Sequence, residues 1–169
     1  GGAIAFAMEA YEKGLISSSD LNGLKLTWGN ADAMIEMVRK IGRRDGSGRL
    51  LGEGVRRAGE EIGGRALEFT IHVKGLELPA HDPRAFYSLA LGYATSNRGA
   101  CHLQAYSHPF EGWITIPDLG YSKCLPPHTE KGKAELVIKL QNLMCMFDSL
   151  KMCKYSLYGG IEPHHLVEF

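Results

Sequence analysis

Residues 133–153, KAELVIKLQNLMCMFDSLKMC, set Leu136, Val137, Leu140, Leu143, Met144 and Phe147 at the spacing of one helical face. Side chains three and four positions apart lie above one another on a helix. An apolar stripe of that width has to be covered by other elements, so the helix needs partners that pack along it.

The rest of the chain supplies candidate partners. Ala3, Phe6, Ala7, Ala10 and Tyr11 share a face of a first helix that stops at Gly14, and SSSD (17–20) offers capping side chains for a short turn. Trp28-Gly29-Asn30 reads as a stop and an N-cap, after which Met34, Met37, Val38 and Ile41 recur at helical spacing until Gly42. A charged helix over roughly 52–62 ends at Gly63-Gly64. Phe69, Ile71 and Val73 then alternate in a segment closed by Gly75, Pro79 and Pro83, which predicts a short extended connector near 67–79. A short helix over about 83–93 runs into ATSNRGACH (94–102). Residues 105–131 hold four of the seven prolines and predict a long loop that covers or lines something. The expected fold is all-α and multihelical, divided into residues 1–72 and 73–169.

Charge excludes some partners. Nineteen basic and nineteen acidic residues leave no net field to hold nucleic acid or an anionic membrane surface. The longest apolar runs fall far short of a bilayer span and no secretory signal pattern opens the chain, so a cytoplasmic location is expected. The first residues read as a helix already in progress, as in a piece of something longer.

Two stretches carry chemistry. In ATSNRGACH, Asn97 donates and accepts, Arg98 presents a planar fork suited to phosphate, and Gly99 permits a close backbone approach or a positive φ. His102 titrates near neutral pH and can exchange a proton. The plain structural reading is also open: a surface ion pair, a helix cap and a hydrogen-bonded imidazole. In DSLKMC, Asp148 and Cys153 stand five apart; the carboxylate can take hydrogen bonds from a heterocycle and the thiolate can ligate a metal. The plain alternative is a helix end with a solvent-facing aspartate and a buried thiol. Cys101, Cys124 and Cys145 lack CxxC spacing and read as buried small apolar residues, Cys145 as part of the helix core. His164-His165 reads as a helix start with exposed imidazoles, and His81 and Lys74 as loop surface.

Taken in order, GGAIAFAMEAYEKGLI, VKGLELPAHDPRA with GYATSNRGACH, and DSLKMC resemble the aldehyde:ferredoxin oxidoreductase family of tungsten- or molybdenum-pterin enzymes over nearly the whole chain. The resemblance implies incomplete parts of the family's helical second and third domains, with the pterin-cradling first domain and its CxxCxxxC cluster triad lying before Gly1. It implies that Asn97, Arg98 and Gly99 contact one pterin of a bis-pterin cofactor. His102 would exchange a proton while an aldehyde is oxidised to the acid. Asp148 would bind a pterin ring with a backbone contact at Met152. Cys153 would be one of four ligands of a [4Fe–4S] cluster passing electrons to ferredoxin. The chain alone is expected to be inactive, and the parent is expected as a homo-oligomer.

Three departures stand out. Lys151-Met152 replaces the family's Gly-Leu before the last cysteine, Gln104 stands where some members carry lysine, and residues 31–41 lack the histidine of an inter-subunit iron. Three other readings remain open: a catalytic-subunit fragment of an aromatic acyl-CoA reductase of the same family, a non-catalytic helical assembly module, or a standalone thiol-metal protein using Cys101, Cys153 and histidines.

Overall fold

A computed structural model describes residues 1–167 and divides the chain into two compact units, Gly1–Leu78 and Pro79–Phe169. Both are helical, as the sequence predicts. The division falls at 78/79 rather than 72/73, because residues 72–77 form a hairpin that belongs to the first unit.

In the first unit, α1 (Gly2–Glu12) buries Ile4, Phe6, Ala7, Met8 and Ala10. It ends where Gly14, at φ +68°, lets the N–H groups of Gly14 and Leu15 turn back onto the carbonyls of Tyr11 and Ala10. Asn30 starts α2 (Ala31–Arg43) as predicted, its Oδ1 accepting the Ala33 N–H at 3.1 Å. The expected stripe on α2 is only partly buried: Met37 is fully enclosed, whereas Met34 and Val38 face outward. After α3 (Ser47–Leu51), the N-terminus of α4 (Val55–Ile62) is capped from a distance, Glu77 Oε1 accepting the Val55 N–H. Glu77 lies on a hairpin of β1 (His72–Val73) and β2 (Leu76–Glu77), antiparallel with His72 opposite Glu77 and Val73 opposite Leu76. Lys74 and Gly75 both have positive φ, the turn geometry that matches the twist of a two-residue hairpin. The alternation at Phe69, Ile71 and Val73 therefore shrinks to two paired residues, since Gly64–Phe69 winds into a 3₁₀ turn.

The second unit is built on α7 (Lys133–Ser149), which packs against α5 (Tyr87–Thr95) and α6 (His102–Ala105). All six residues of its predicted stripe are buried, each worth about 1.5–3 kcal/mol relative to exposure. Helix α5 starts at Tyr87, later than expected, after Pro83 and an extended Phe86.

The segment 105–131 is not a plain loop. It holds 3₁₀ turns at His108–Glu111 and Pro117–Leu119 and a β-bridge between Ile116 and Tyr121. A buried ion pair between Glu111 and Lys133 pins it to the start of α7. Lys133 Nζ also donates to the Pro126 carbonyl at 2.6 Å, and Glu111 accepts the Ser88 N–H.

Candidate functional site

The loop leaving α5, the short helix α6 and the end of α7 surround a cavity of about 540 Å³. Asn97, Arg98, Gln104, Asp148, Met152, Cys153 and Lys154 are among its lining residues. Local folding explains how they arrive there. Ser96 is fully buried at the end of α5, and its N–H bonds back to the Gly92 carbonyl, which sends the chain outward. Gly99, buried at φ +109°, then turns it back toward α6. Between them Asn97 and Arg98 stand exposed, and Arg98 Nη2 donates to the buried Cys101 Sγ at 2.6 Å.

At the other wall, α7 closes with Met152 N–H bonded to the Phe147 carbonyl at 2.9 Å and Lys151 N–H to the Asp148 carbonyl at 3.1 Å. Lys151 takes the left-handed conformation, φ +57°, that glycine adopts without steric cost. The Lys-Met departure noted in the sequence thus puts a non-glycine residue in a left-handed turn. Asp148 is exposed, and its Oδ2 accepts from Lys154 Nζ at 2.8 Å; the same ammonium donates to the Leu103 carbonyl of α6 at 3.1 Å. Lys154 therefore ties the end of α7 to α6 while neutralising Asp148. Nothing local in the sequence marks it for this job.

Five predicted residues, Asn97, Arg98, Asp148, Met152 and Cys153, share this cavity wall. Gly99 shapes the loop beneath it. Cys145, assigned to the helix core, is exposed and also lines the cavity, because it lies about 100° round the helix from Met144. Cys153 is exposed, not buried, and Cys124 is half-buried with its thiol on the Ile114 carbonyl.

His102 is not among the lining residues. Its ring lies 4.7 Å from that of His81, centroid to centroid, and His81 lies 4.5 Å from His108. His81 is therefore half-buried inside a cluster rather than loop surface. Burial, then the neighbouring His81 and Arg98, hold the His102 imidazolium below the ordinary histidine range. His108 is 4% exposed, and burial followed by the other two imidazoles pulls it down to about 4. Its Nδ1 has no hydrogen-bond partner among the described residues. Of the paired histidines, His164 is exposed with Nδ1 2.7 Å from Asp118 Oδ2, and His165 Nδ1 accepts the Glu162 N–H, within a 3₁₀ turn over Pro163–Val167.

The cavity's donor set suits an anionic heterocyclic ligand: an amide, a guanidinium and an ammonium for phosphate or ring oxygens, and a carboxylate for ring N–H groups. Two accessible thiols stand on the same wall. They supply at most part of an iron–sulfur ligand set, which needs four.

Comparisons with known proteins give an independent result. A family model described as aldehyde ferredoxin oxidoreductase, domains 2 and 3, matches residues 1–169. The tungsten-containing aldehyde ferredoxin oxidoreductase of Pyrococcus horikoshii is 38% identical over 163 residues, covering 94% of this chain and 26% of that protein. Its counterpart from Pyrococcus furiosus is 39% identical over 161 residues, covering 94% and 25%. A Pyrococcus furiosus protein named aliphatic sulfonate oxidoreductase, WOR-like subunit, is 32% identical over 119 residues, covering 67% and 19%. The chain spans about a quarter of the length of the aldehyde ferredoxin oxidoreductases it matches.

Proposed function

Because the chain belongs to the aldehyde ferredoxin oxidoreductase family, we propose that it forms part of a tungsten- or molybdenum-pterin oxidoreductase that converts aldehydes to carboxylic acids and passes the electrons through a [4Fe–4S] cluster to ferredoxin. The observation that carries this reading is the meeting of Asn97, Arg98, Asp148, Met152 and Cys153 on one cavity wall. They come from segments about fifty residues apart.

When bound, the metal–pterin group would supply the two-electron redox chemistry. The chain's own residues have simpler tasks. Arg98 and Asn97 donate hydrogen bonds to the anionic and carbonyl edges of the ligand. Gly99 brings the backbone close, and the Met152 backbone borders the ring. Asp148 accepts from ring N–H groups, its charge already balanced by Lys154. Cys153 supplies one thiolate to the cluster; the remaining ligands come from outside the residues assigned here. His102, held below the ordinary histidine range chiefly by burial, takes up a proton as aldehyde and water become acid.

By itself the chain holds one side of such a site and turns over no aldehyde. Metal analysis of the full-length protein that contains it tests the reading: tungsten or molybdenum together with iron is expected, and Cys153→Ser should lower iron content and erase the cluster's electron paramagnetic signal. A full-length protein with none of these metals overturns it. The similarity to a sulfonate oxidoreductase makes substrate class a separate measurement, read by comparing aldehyde- and sulfonate-dependent dye reduction.

A further inference from the structure

Three imidazoles meet in the second unit, and the proposed function uses only one of them. His81 is central: its ring is 4.7 Å from His102 and 4.5 Å from His108, whereas His102 and His108 are 6.2 Å apart. The surroundings differ sharply. His108 is enclosed by Phe86, Tyr106 and Trp113, with ring centroids 5.7–6.1 Å away. His81 is half-buried next to the exposed Asp82, and its backbone is fixed by the Tyr93 hydroxyl, which donates to the His81 carbonyl at 3.0 Å.

We propose that His81 is the proton-transfer partner of His102, receiving its proton and releasing it to solvent, with His108 as the buried back wall of the pair. The proposal rests on the proton role given to His102 above. The step balances simply. Neutral His102 gains a proton during oxidation of the substrate, and passes it from a ring nitrogen to a ring nitrogen of neutral His81. His81 then gives a proton to bulk water. Both imidazoles end neutral and ready for another cycle. The ring separation is within reach of one hydrogen bond or one bridging water.

The alternative route through His108 leads inward to aromatic walls, where burial opposes protonation of that ring. The titratable and charged groups bearing on the relay are few. His102 faces His81 and Arg98, and His108 faces both imidazoles and Tyr106. Asp82, next in sequence to His81, is held by Arg84 through paired contacts of 2.6–3.0 Å. His81 is a positioning residue here, since it acts through His102 and not on substrate.

The experiment uses the full-length enzyme and the variants His81→Asn and His81→Gln, with metal content as the folding control. Aldehyde turnover at neutral pH should fall by about tenfold, less than the roughly 10²–10⁴-fold a group acting directly on substrate contributes, with KM little changed. Added imidazole should restore it, which no purely structural role for His81 would allow. Independently of activity, hydrogen exchange at the His102 Cε1–H, followed by mass spectrometry across pH, should show a higher midpoint in both variants, because the electrostatic opposition of His81 to a charged His102 has been removed. Wild-type turnover in both variants, loss without imidazole rescue in both, or an unmoved His102 midpoint overturns the relay. His102→Ala separates the two levels: retained turnover there removes the proton role of His102 itself, whereas a dead His102→Ala beside fully active His81 variants removes the relay alone.

Discussion

His108 makes a side chain's surroundings measurable as stability. Its folded-state value of about 4 lies below the ordinary 6.5, so the folded chain favours the neutral ring. The unfolded chain binds more protons between those values, and stability contributed by neutral burial is complete above about pH 6.5 and lost as pH falls toward 4. The difference corresponds to roughly 3 kcal/mol at most. His108→Phe should flatten this part of the profile, seen as a smaller drop in Tm between pH 7 and pH 4 than in the parent chain. The sequence could not show this cluster. His81 stands among prolines and reads as surface, and its partners lie 21 and 27 residues further on with no shared periodicity. By contrast, Asn97, Arg98, Asp148 and Cys153 were legible because residue type and order together carry a family pattern. Lys154 was not, since one lysine after a cysteine carries no such pattern.

At the level of elements, α7 was the most readable part of the chain: six apolar positions at helical spacing all became core. Segment 105–131 was the least readable. Its order comes from Glu111 and Lys133, two charges that sequence alone places on a surface, buried against each other at 4% and 3% exposure. Burying ions costs desolvation, which only close pairing and further hydrogen bonds offset. Removing one partner leaves the other stranded, so Glu111→Ala or Lys133→Ala should each destabilise the fold by about 3–5 kcal/mol in urea titrations. Glu111→Leu with Lys133→Met should recover most of that loss, and a double variant as unstable as the singles would contradict this account. The paired change also removes the acceptor for the Ser88 N–H, so recovery short of complete is expected. Cys145 shows the finer limit of periodicity: a residue beside the stripe in sequence sits on its outer flank in space.

Over the whole chain, helical class was legible from glycine-punctuated periodicity, while the division between units was displaced by six residues. The displacement came from a hairpin whose turn, Lys74-Gly75, has a two-residue signature easily passed over. Each unit has its own apolar cluster, one around Phe6, Leu26 and Met37, the other around Leu140, Met144 and Phe147. Residues 1–78 and 79–167 expressed separately should therefore each give a helical circular dichroism spectrum with a cooperative thermal transition; a featureless melt from either would show that its cluster is insufficient. No helix among the described residues is long and apolar enough to cross a membrane. The cavity-lining residues from Asn97 to Tyr155 and all three clustered imidazoles lie after Leu78. A substitution that rewrites this cavity wall directly therefore has to fall in the second unit.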